Sequence, residues 1–261
     1  MSSFTSYKSR YKHGKWLLSL TLVSLFSAPI YAQNKGNIEF VDAVFAVSYN
    51  NATSGGDAKL TIKNHQNNYD VSFNLKHSLI DINQNARFSA KDCKITPHSY
   101  QSTTRPAMRS NTRETLDFNW ANKVATRQHN QDGTTSFNLN QHFYDPMTLF
   151  FIGRCDLMAG KKQLAYPLIY KGRETTHRYH VIGTEKVKTD MGVFEALVVQ
   201  RQRSNKNRQT TFYVAPALDY LIVKIHHDLK KHELQGQISI KNASNLEAFY
   251  FKPSTKLATC F

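Results

Sequence analysis

Residues 142–160 read HFYDPMTLFFIGRCDLMAG. On both sides of this stretch polar and apolar residues alternate in short runs, the period of a strand with one face in a core. Here the chain is apolar almost without a break. Asp145 is placed to accept hydrogen bonds from first-turn amides, and Pro146 suits the first helical position, where a missing N–H has no partner to lose. Gly160 suits the left-handed position just past a helix end. The stretch predicts a helix over 145–159. At about 100° per residue, Met147, Phe151 and Met158 cluster, and Leu149, Phe150, Ile152, Cys155 and Leu157 cover most of the remaining circumference. Only Thr148, Gly153, Arg154 and Asp156 interrupt them. A helix apolar nearly all round is a buried helix.

Alternation elsewhere predicts strands at 40–49, 58–63, 69–76, 85–91, 97–104, 112–120, 123–129 and 134–139 before the helix. After it come 162–170, 176–188, 193–203, 208–215, 219–228, 231–241 and 246–251. Residues 51–57 (NATSGGD) read as a turn and 101–111 (QSTTRPAMRSN), with Arg105 and Arg109, as the longest loop. About fourteen strands with short connections and no intervening helices exclude parallel α/β packing. The fold class expected is all-β: an antiparallel meander forming a barrel-like or folded curved sheet. The one helix is its plug, set across an open end or inside the concave face. Arg154 and Asp156 would then point to the rim or pair with sheet groups. The sharper expectation is a lipid-sized cavity lined by Phe150, Phe151 and Met158.

The first residues carry a compartment signal. Lys8, Arg10, Lys12 and Lys15 precede an apolar run from Trp16 to Phe26, then Pro29 and Ile30-Tyr31-Ala32. This is the pattern of a secretory leader, too short for a membrane span, so residues 1–32 are expected to be cleaved and 33–261 to form a single periplasmic domain. The whole chain has 34 basic and 19 acidic residues. The leader holds four of the basic ones, which leaves 30 against 19, about +11. Such a charge favours anionic envelope partners: a lipid, lipopolysaccharide or glycan. Nucleic acid is not expected in that compartment, nor an integral membrane protein; a monomer is. Of the three cysteines, Cys93, Cys155 and Cys260, an oxidising compartment should pair two. A Cys155–Cys260 bridge would fasten the chain end to the core, and a Cys93–Cys155 bridge is equally allowed.

The helix and the segment after it resemble the bacterial exported family called domain of unknown function 3108. The resemblance rests on Asp145, Arg154-Cys155-Asp156-Leu157 and Gly160. It continues through Gly183-Thr184-Glu185-Lys186-Val187-Lys188-Thr189-Asp190-Met191-Gly192, then Arg201 and Arg203, Tyr213-Val214-Ala215-Pro216 and Tyr220-Leu221-Ile222-Val223-Lys224. Leu116-Asp117-Phe118-Asn119-Trp120 is similar to the family's Phe-Asp-Trp strand. Tyr213 stands where the family usually has Trp, and Ile222 where it has Pro. The resemblance implies an all-β, barrel-like or folded-sheet domain in exported proteins and implies no reaction.

Catalytic constellations are absent from the sequence pattern. His177 and His180 are three apart and would face opposite ways in a strand, as would the neighbours His226 and His227. No metal or cofactor is therefore expected. There is no G-x-S-x-G elbow. Glu114, Asp117, Glu185 and Glu195 read as strand residues with ordinary cross-strand partners. The candidate binding feature is a basic hairpin. Arg201 and Arg203 share a strand face, and Lys206 and Arg208 come next in the turn, able to grip phosphates or uronates. Its plainer alternative is a solvated hairpin guarding a sheet edge. The function expected is a non-enzymatic periplasmic binding or accessory protein for an amphipathic or anionic envelope component. Beside it stand a lipid or lipoprotein carrier with a hydrophobic cavity, a glycan-acting enzyme with two facing carboxylates, and a structural partner with a dry core.

Overall fold

A computed structural model describes residues 38, 40–49, 52–205, 207–229 and 234–244. The leader, Lys206, Cys260 and the expected strand at 246–251 lie outside them. Eight strands precede the helix: β1 (Phe40–Tyr49), β2 (Ala52–His65), β3 (Asn68–His77), β4 (Ile80–Lys91), β5 (Lys94–Pro106), β6 (Thr112–Asn119), β7 (Val124–His129) and β8 (Gly133–Asn138). After α1 (Thr148–Met158) come β9 (Gln163–Tyr170), β10 (Arg173–Thr189), β11 (Gly192–Gln202), β12 (Arg208–Ala215), β13 (Leu221–Leu229) and β14 (Leu234–Ser244).

All fourteen strands form one sheet in the order β8-β7-β6-β5-β4-β3-β2-β1-β14-β13-β12-β11-β10-β9. Each neighbouring pair is antiparallel, and β1 against β14 joins the two halves. The edges are β8 and β9, so strand pairing leaves the sheet barrel-like and unclosed. The segment between these edges is stitched to both halves. Leu139 N–H donates to Lys123 O at 2.8 Å, Tyr144 N–H to Pro167 O at 2.9 Å, and Ile169 N–H to Tyr144 O at 3.2 Å.

Period-two patterning sets the register. One inner row runs Val41, Ile62, Val71, Ala86, Tyr100, Leu116 across six strands, each opposite the next, and every member is buried. A slip of one residue would turn the whole row to solvent. Gln66–Asn67, Asp92–Cys93 and Lys171–Gly172 all have positive φ. That conformation makes two-residue hairpin turns which match the strand twist.

The all-β expectation holds, with local corrections. Residues 52–57 are strand, not turn. Gly56 sits opposite Val47, and a Cβ on it would come within 2.8 Å of Lys76 O, so this glycine answers a close approach. Most of the expected loop at 101–111 is the end of β5, with Thr104 opposite Thr112. β4 begins at Ile80, five residues earlier than alternation suggested. Regular helix begins at Thr148, because Pro146 and Met147 form the turn that leads into it. Asp145 still does the capping: its Oδ1 accepts from Met147 N–H at 2.8 Å and Thr148 N–H at 3.0 Å. At the other end Gly160, φ +77°, donates to Leu157 O, and Lys161 N–H donates to Asp156 O. These are the two bonds of a Schellman stop.

The helix lies between the inner surfaces of the two halves. Phe151 packs on Phe88 and Tyr69, ring centroids 4.5 and 5.8 Å away. Phe150 meets Phe212 of β12 edge-on at 6.0 Å. Leu149 and Leu157 join Leu164, Tyr166, Leu168, Val199 and Val214 in one apolar cluster. Cys155 bonds to Cys93 in the β4–β5 turn, Cα atoms 5.8 Å apart. Asp156 pairs with a sheet group, whereas Arg154 pairs with Asp219, just past a 3₁₀ turn and outside the strands. Arg154 Nε donates to Asp219 O at 2.7 Å and the guanidinium reaches the Asp219 carboxylate. Asp156 accepts from Lys161 Nζ at 2.6 Å and Tyr166 Oη at 2.8 Å. Among the described residues, no helix is long and apolar enough to cross a membrane.

Candidate functional site

Between α1 and strands β1–β4 and β13 the packing leaves a cavity of about 290 Å³. Its wall includes Val41, Phe45, Leu60, Ile62, Val71, Phe73, Met147, Phe150 and Phe151, and among the described residues it is apolar apart from Gln84, Arg154, Asp219 and the Tyr220 hydroxyl. A void this size is at the small end of ligand pockets and well above the few water-sized voids of an ordinary core. It exists because a fourteen-stranded sheet encloses more space than its own side chains and one short helix fill. Four of its wall residues, Phe150, Arg154, Tyr220 and Ile222, also bound a second apolar hollow of about 60 Å³ on the β9–β12 side.

The inner surface then turns polar in two places. Toward β5–β7, Gln84 donates to Tyr100 Oη at 2.9 Å and borders a cleft of about 1010 Å³ that includes Ser102, Glu114, Arg127, His129 and Lys171. Buried Arg127 holds Glu114 at 2.6 Å and Asp132 at 3.1 Å. These carboxylates face one guanidinium, not each other as a glycosidase pair would. Asp117, Glu185 and Glu195 are exposed, and Glu195 lies opposite Lys186 in register.

The second polar place is on β10–β13. Tyr179 lies opposite Arg201, and Thr210 opposite His227. His177 is buried and packs edge-on against Tyr170, ring centroids 5.3 Å apart. Its Nε2 accepts a hydrogen bond from Arg201. Burial and the cations Arg201 and Arg203 push the imidazole down to about 4, so it is neutral at physiological pH. His227 is lowered by burial and by the cations Arg203 and Arg208. Arg203 donates to Thr210 Oγ1 at 3.4 Å, and that hydroxyl lies 2.8 Å from His227 Nδ1.

The expected binding residues therefore divide. Phe150 and Phe151 line the cavity; Met158, half-buried, is not in its wall, and Met147 takes that place. Arg201 and Arg203 lie together on the inner face beside Tyr179, while Arg208 is exposed at the start of β12. They guard no edge, since β11 and β12 lie inside the sheet order. Sequence reading missed His177, Tyr179, Thr210 and His227 as their neighbours. The period-two pattern carried part of that signal, because His177 and Tyr179 share a strand face. Among the described residues no group of three His, Cys, Asp or Glu gathers as metal ligands.

The family model described as Protein of unknown function (DUF3108) matches residues 44–234. The chain belongs to that family. Among solved structures it is similar to a beta-barrel-like protein of domain of unknown function DUF1849 from Brucella abortus. The TM-score is 0.54 at 10% identity, covering 79% of this chain and 98% of that one. The likeness extends to fold. No curated protein matches. The segments that carried the family resemblance have distinct structural places. Gly183 sits at a bulge in β10, and Glu185 is exposed on the same strand. Thr189 Oγ1 accepts from Met191 N–H and donates to Gly192 O, shaping the β10–β11 turn. Pro216–Leu218 forms a 3₁₀ turn that leads into Asp219, the partner of Arg154.

Proposed function

We propose that this protein is a periplasmic, non-enzymatic binding protein that takes the hydrocarbon chain of an envelope amphiphile into the space between α1 and the concave sheet. The observation that carries this reading is the 290 Å³ apolar cavity, which shares Phe150, Arg154, Tyr220 and Ile222 with a second apolar hollow. Unfilled apolar volume lowers stability, by roughly 24 cal/mol per Å³ in core cavities, so a chain-like occupant offsets that cost while its head stays near the polar rim. The leader pattern at residues 8–32 supports export, and the basic composition supports an anionic partner. A single domain from residue 33, acting as a monomer, completes the reading.

The test is native mass spectrometry of protein exported to a bacterial periplasm and purified without detergent, followed by titration with dodecanol. An added mass in the range of a single-chain lipid, removed by organic extraction, is the expected result. Leu60→Trp fills the cavity from its wall. It is expected to weaken dodecanol binding at least about tenfold while leaving the melting temperature within a few degrees, because added bulk enters existing space. A bare protein that does not bind dodecanol, or a Leu60→Trp variant that binds it unchanged, rules the reading out.

A further inference from the structure

The arginines of the interior are not treated alike. Arg127 is held by Glu114 and Asp132, and Arg154 by Asp219. Arg201 and Arg203 have no carboxylate within ion-pairing distance among the described residues, and neither does Arg208, which flanks them. Their neighbours are instead Tyr179, Thr210 and two histidines held neutral. Arg203 Nε is buried without a hydrogen-bond partner among the described residues. Like charges packed together and partly desolvated are unfavourable unless an anion joins them. Arg201 lies near the end of β11, Arg203 just past it and Arg208 at the start of β12, so the cluster stands at the hairpin end, where Arg203 reaches the buried Thr210.

We propose that Arg201 and Arg203, with Thr210 and His177 beside them, form a binding site for the phosphate or carboxylate head of a single-chain amphiphile. This deepens the reading above and rests on it: the tail lies in the apolar cavity and the head at this cluster. The guanidinium groups of Arg201, near the end of β11, and of Arg203, one residue past that end, offer planar N–H forks to an oxyanion. Arg201 spends one donor on His177 Nε2, which fixes the imidazole proton on Nδ1, 3.5 Å from Tyr179 Oη. The remaining donors are free to converge on a ligand. Thr210 Oγ1 is anchored between Arg203 and His227 and adds a hydroxyl to the same rim. Continuity with the tail site comes through Tyr179, which lies opposite Arg201 and also lines the smaller hollow. That hollow shares Phe150, Arg154, Tyr220 and Ile222 with the main cavity.

Three probes separate head from tail: dodecyl phosphate, dodecanol and inorganic phosphate, each titrated calorimetrically into the full mature chain at physiological ionic strength. Dodecyl phosphate is expected to bind about 30-fold more tightly than dodecanol, the equivalent of one to two charge-assisted hydrogen bonds. The Arg201→Gln/Arg203→Gln pair should bring dodecyl phosphate down to within about threefold of dodecanol. The Arg201→Lys/Arg203→Lys pair, which keeps charge and loses the planar fork, should fall between. It also serves if the glutamine pair fails to fold. Equal binding of dodecyl phosphate and dodecanol overturns the head-group site and leaves the tail cavity standing. A preference that survives both double substitutions also overturns it. If inorganic phosphate binds through Arg201 and Arg203 while dodecanol does not bind, the oxyanion site stands and the tail reading falls, the source being a free phosphate. Binding of none of the three overturns both.

Discussion

Removal of the Cys93–Cys155 bond by the double substitution Cys93→Ser/Cys155→Ser is expected to destabilise the protein by about 4 kcal/mol. The bond spans a sequence separation of 62, and closing a loop of that length in the unfolded chain accounts for roughly 4 kcal/mol in the chain-entropy account. For a domain of this size the shift in melting temperature is roughly 8–16 °C. The location makes the effect more than a general loss. Cys93 holds the second place in a two-residue turn with φ +62°, a conformation that disfavours any side chain by about 1–3 kcal/mol, and from there it reaches the inner face of α1. Contacts of the helix with the first half of the sheet, Phe151 on Tyr69 and Phe88, lie beside that bond. Amide exchange across 148–158 should accelerate in the double variant more than exchange in β2–β4. A urea midpoint changed by less than the equivalent of 1 kcal/mol would mean that packing alone fixes the helix. The double substitution is chosen over either single one so that no thiol is left to exchange with Cys260.

How far the fold and the site were legible in the sequence depends on the range of the interactions. Asp145, Pro146 and Gly160 act on backbone groups within a few residues, so start and stop of the helix were legible, with only the first regular turn misplaced. Inward alternation in β1–β3 was legible because each strand carries its own pattern. Arg154 visibly needs a polar partner, but Asp219 is 65 positions away and is presented by a left-handed residue after a 3₁₀ turn, which no local pattern announces. Spacing weighs His177 only as a metal ligand. Its actual role depends on Arg201, which is 24 positions away and becomes its neighbour only through the β10–β11 pairing. Gly56 shows the opposite error. Glycines suggested a turn when the cause was the approach of Lys76 O from β3, a tertiary fact. The cysteines were a true degeneracy: geometry, not spacing, selects Cys93 as the partner of Cys155.

The inner face combines two demands that ordinarily exclude each other, an apolar wall and ionisable groups, and it manages them by keeping the two histidines at its cationic rim neutral. Arg127 and Arg154 have carboxylate partners within the fold, whereas Arg201 and Arg203 present donors toward the rim of the same space. A protein whose only task was to fill its barrel would more economically place apolar residues there, since replacing buried ion networks with hydrocarbon is often neutral or stabilising. On the head-group site proposed above, the polar inner rows serve an occupant of the sheet and not its stability.

Asp145→Ala is expected to destabilise by about 3 kcal/mol, whereas Asp145→Asn should be near neutral at pH 8. The carboxylate is fully buried and accepts from Met147 N–H, Thr148 N–H and Thr148 Oγ1. Alanine strands both amides, while the Thr148 hydroxyl turns to Asp145 O; each buried orphan costs about 1–3 kcal/mol, with overlap. Asparagine keeps Oδ1 for both amides. Its Nδ2 can donate to Thr148 Oγ1, whose own proton turns to Asp145 O, 3.2 Å away. Burial pushes the Asp145 carboxyl up to about 6 against its hydrogen bonds, from an ordinary 3.8. Between those values the native chain holds a proton that the unfolded chain releases, so this contribution to stability is full below pH 3.8, falls as pH rises through 6, and is flat above. Stability of the natural chain relative to Asp145→Asn should thus increase by about 2–3 kcal/mol on going from pH 7 to pH 4. His177 works in the other direction. Its lowered value means stability present above pH 6.5 and lost as pH falls toward 4, by no more than about 2 kcal/mol after allowance for screening. His177→Gln should remove that loss. The natural chain therefore shows a shallow acid profile made of two opposed slopes, and urea midpoints of the two variants at pH 4, 5, 6 and 7 separate them. Parallel profiles for Asp145→Asn and the natural chain would mean that the carboxylate is not proton-linked to folding, and that its hydrogen bonds with Met147 and Thr148 balance its burial.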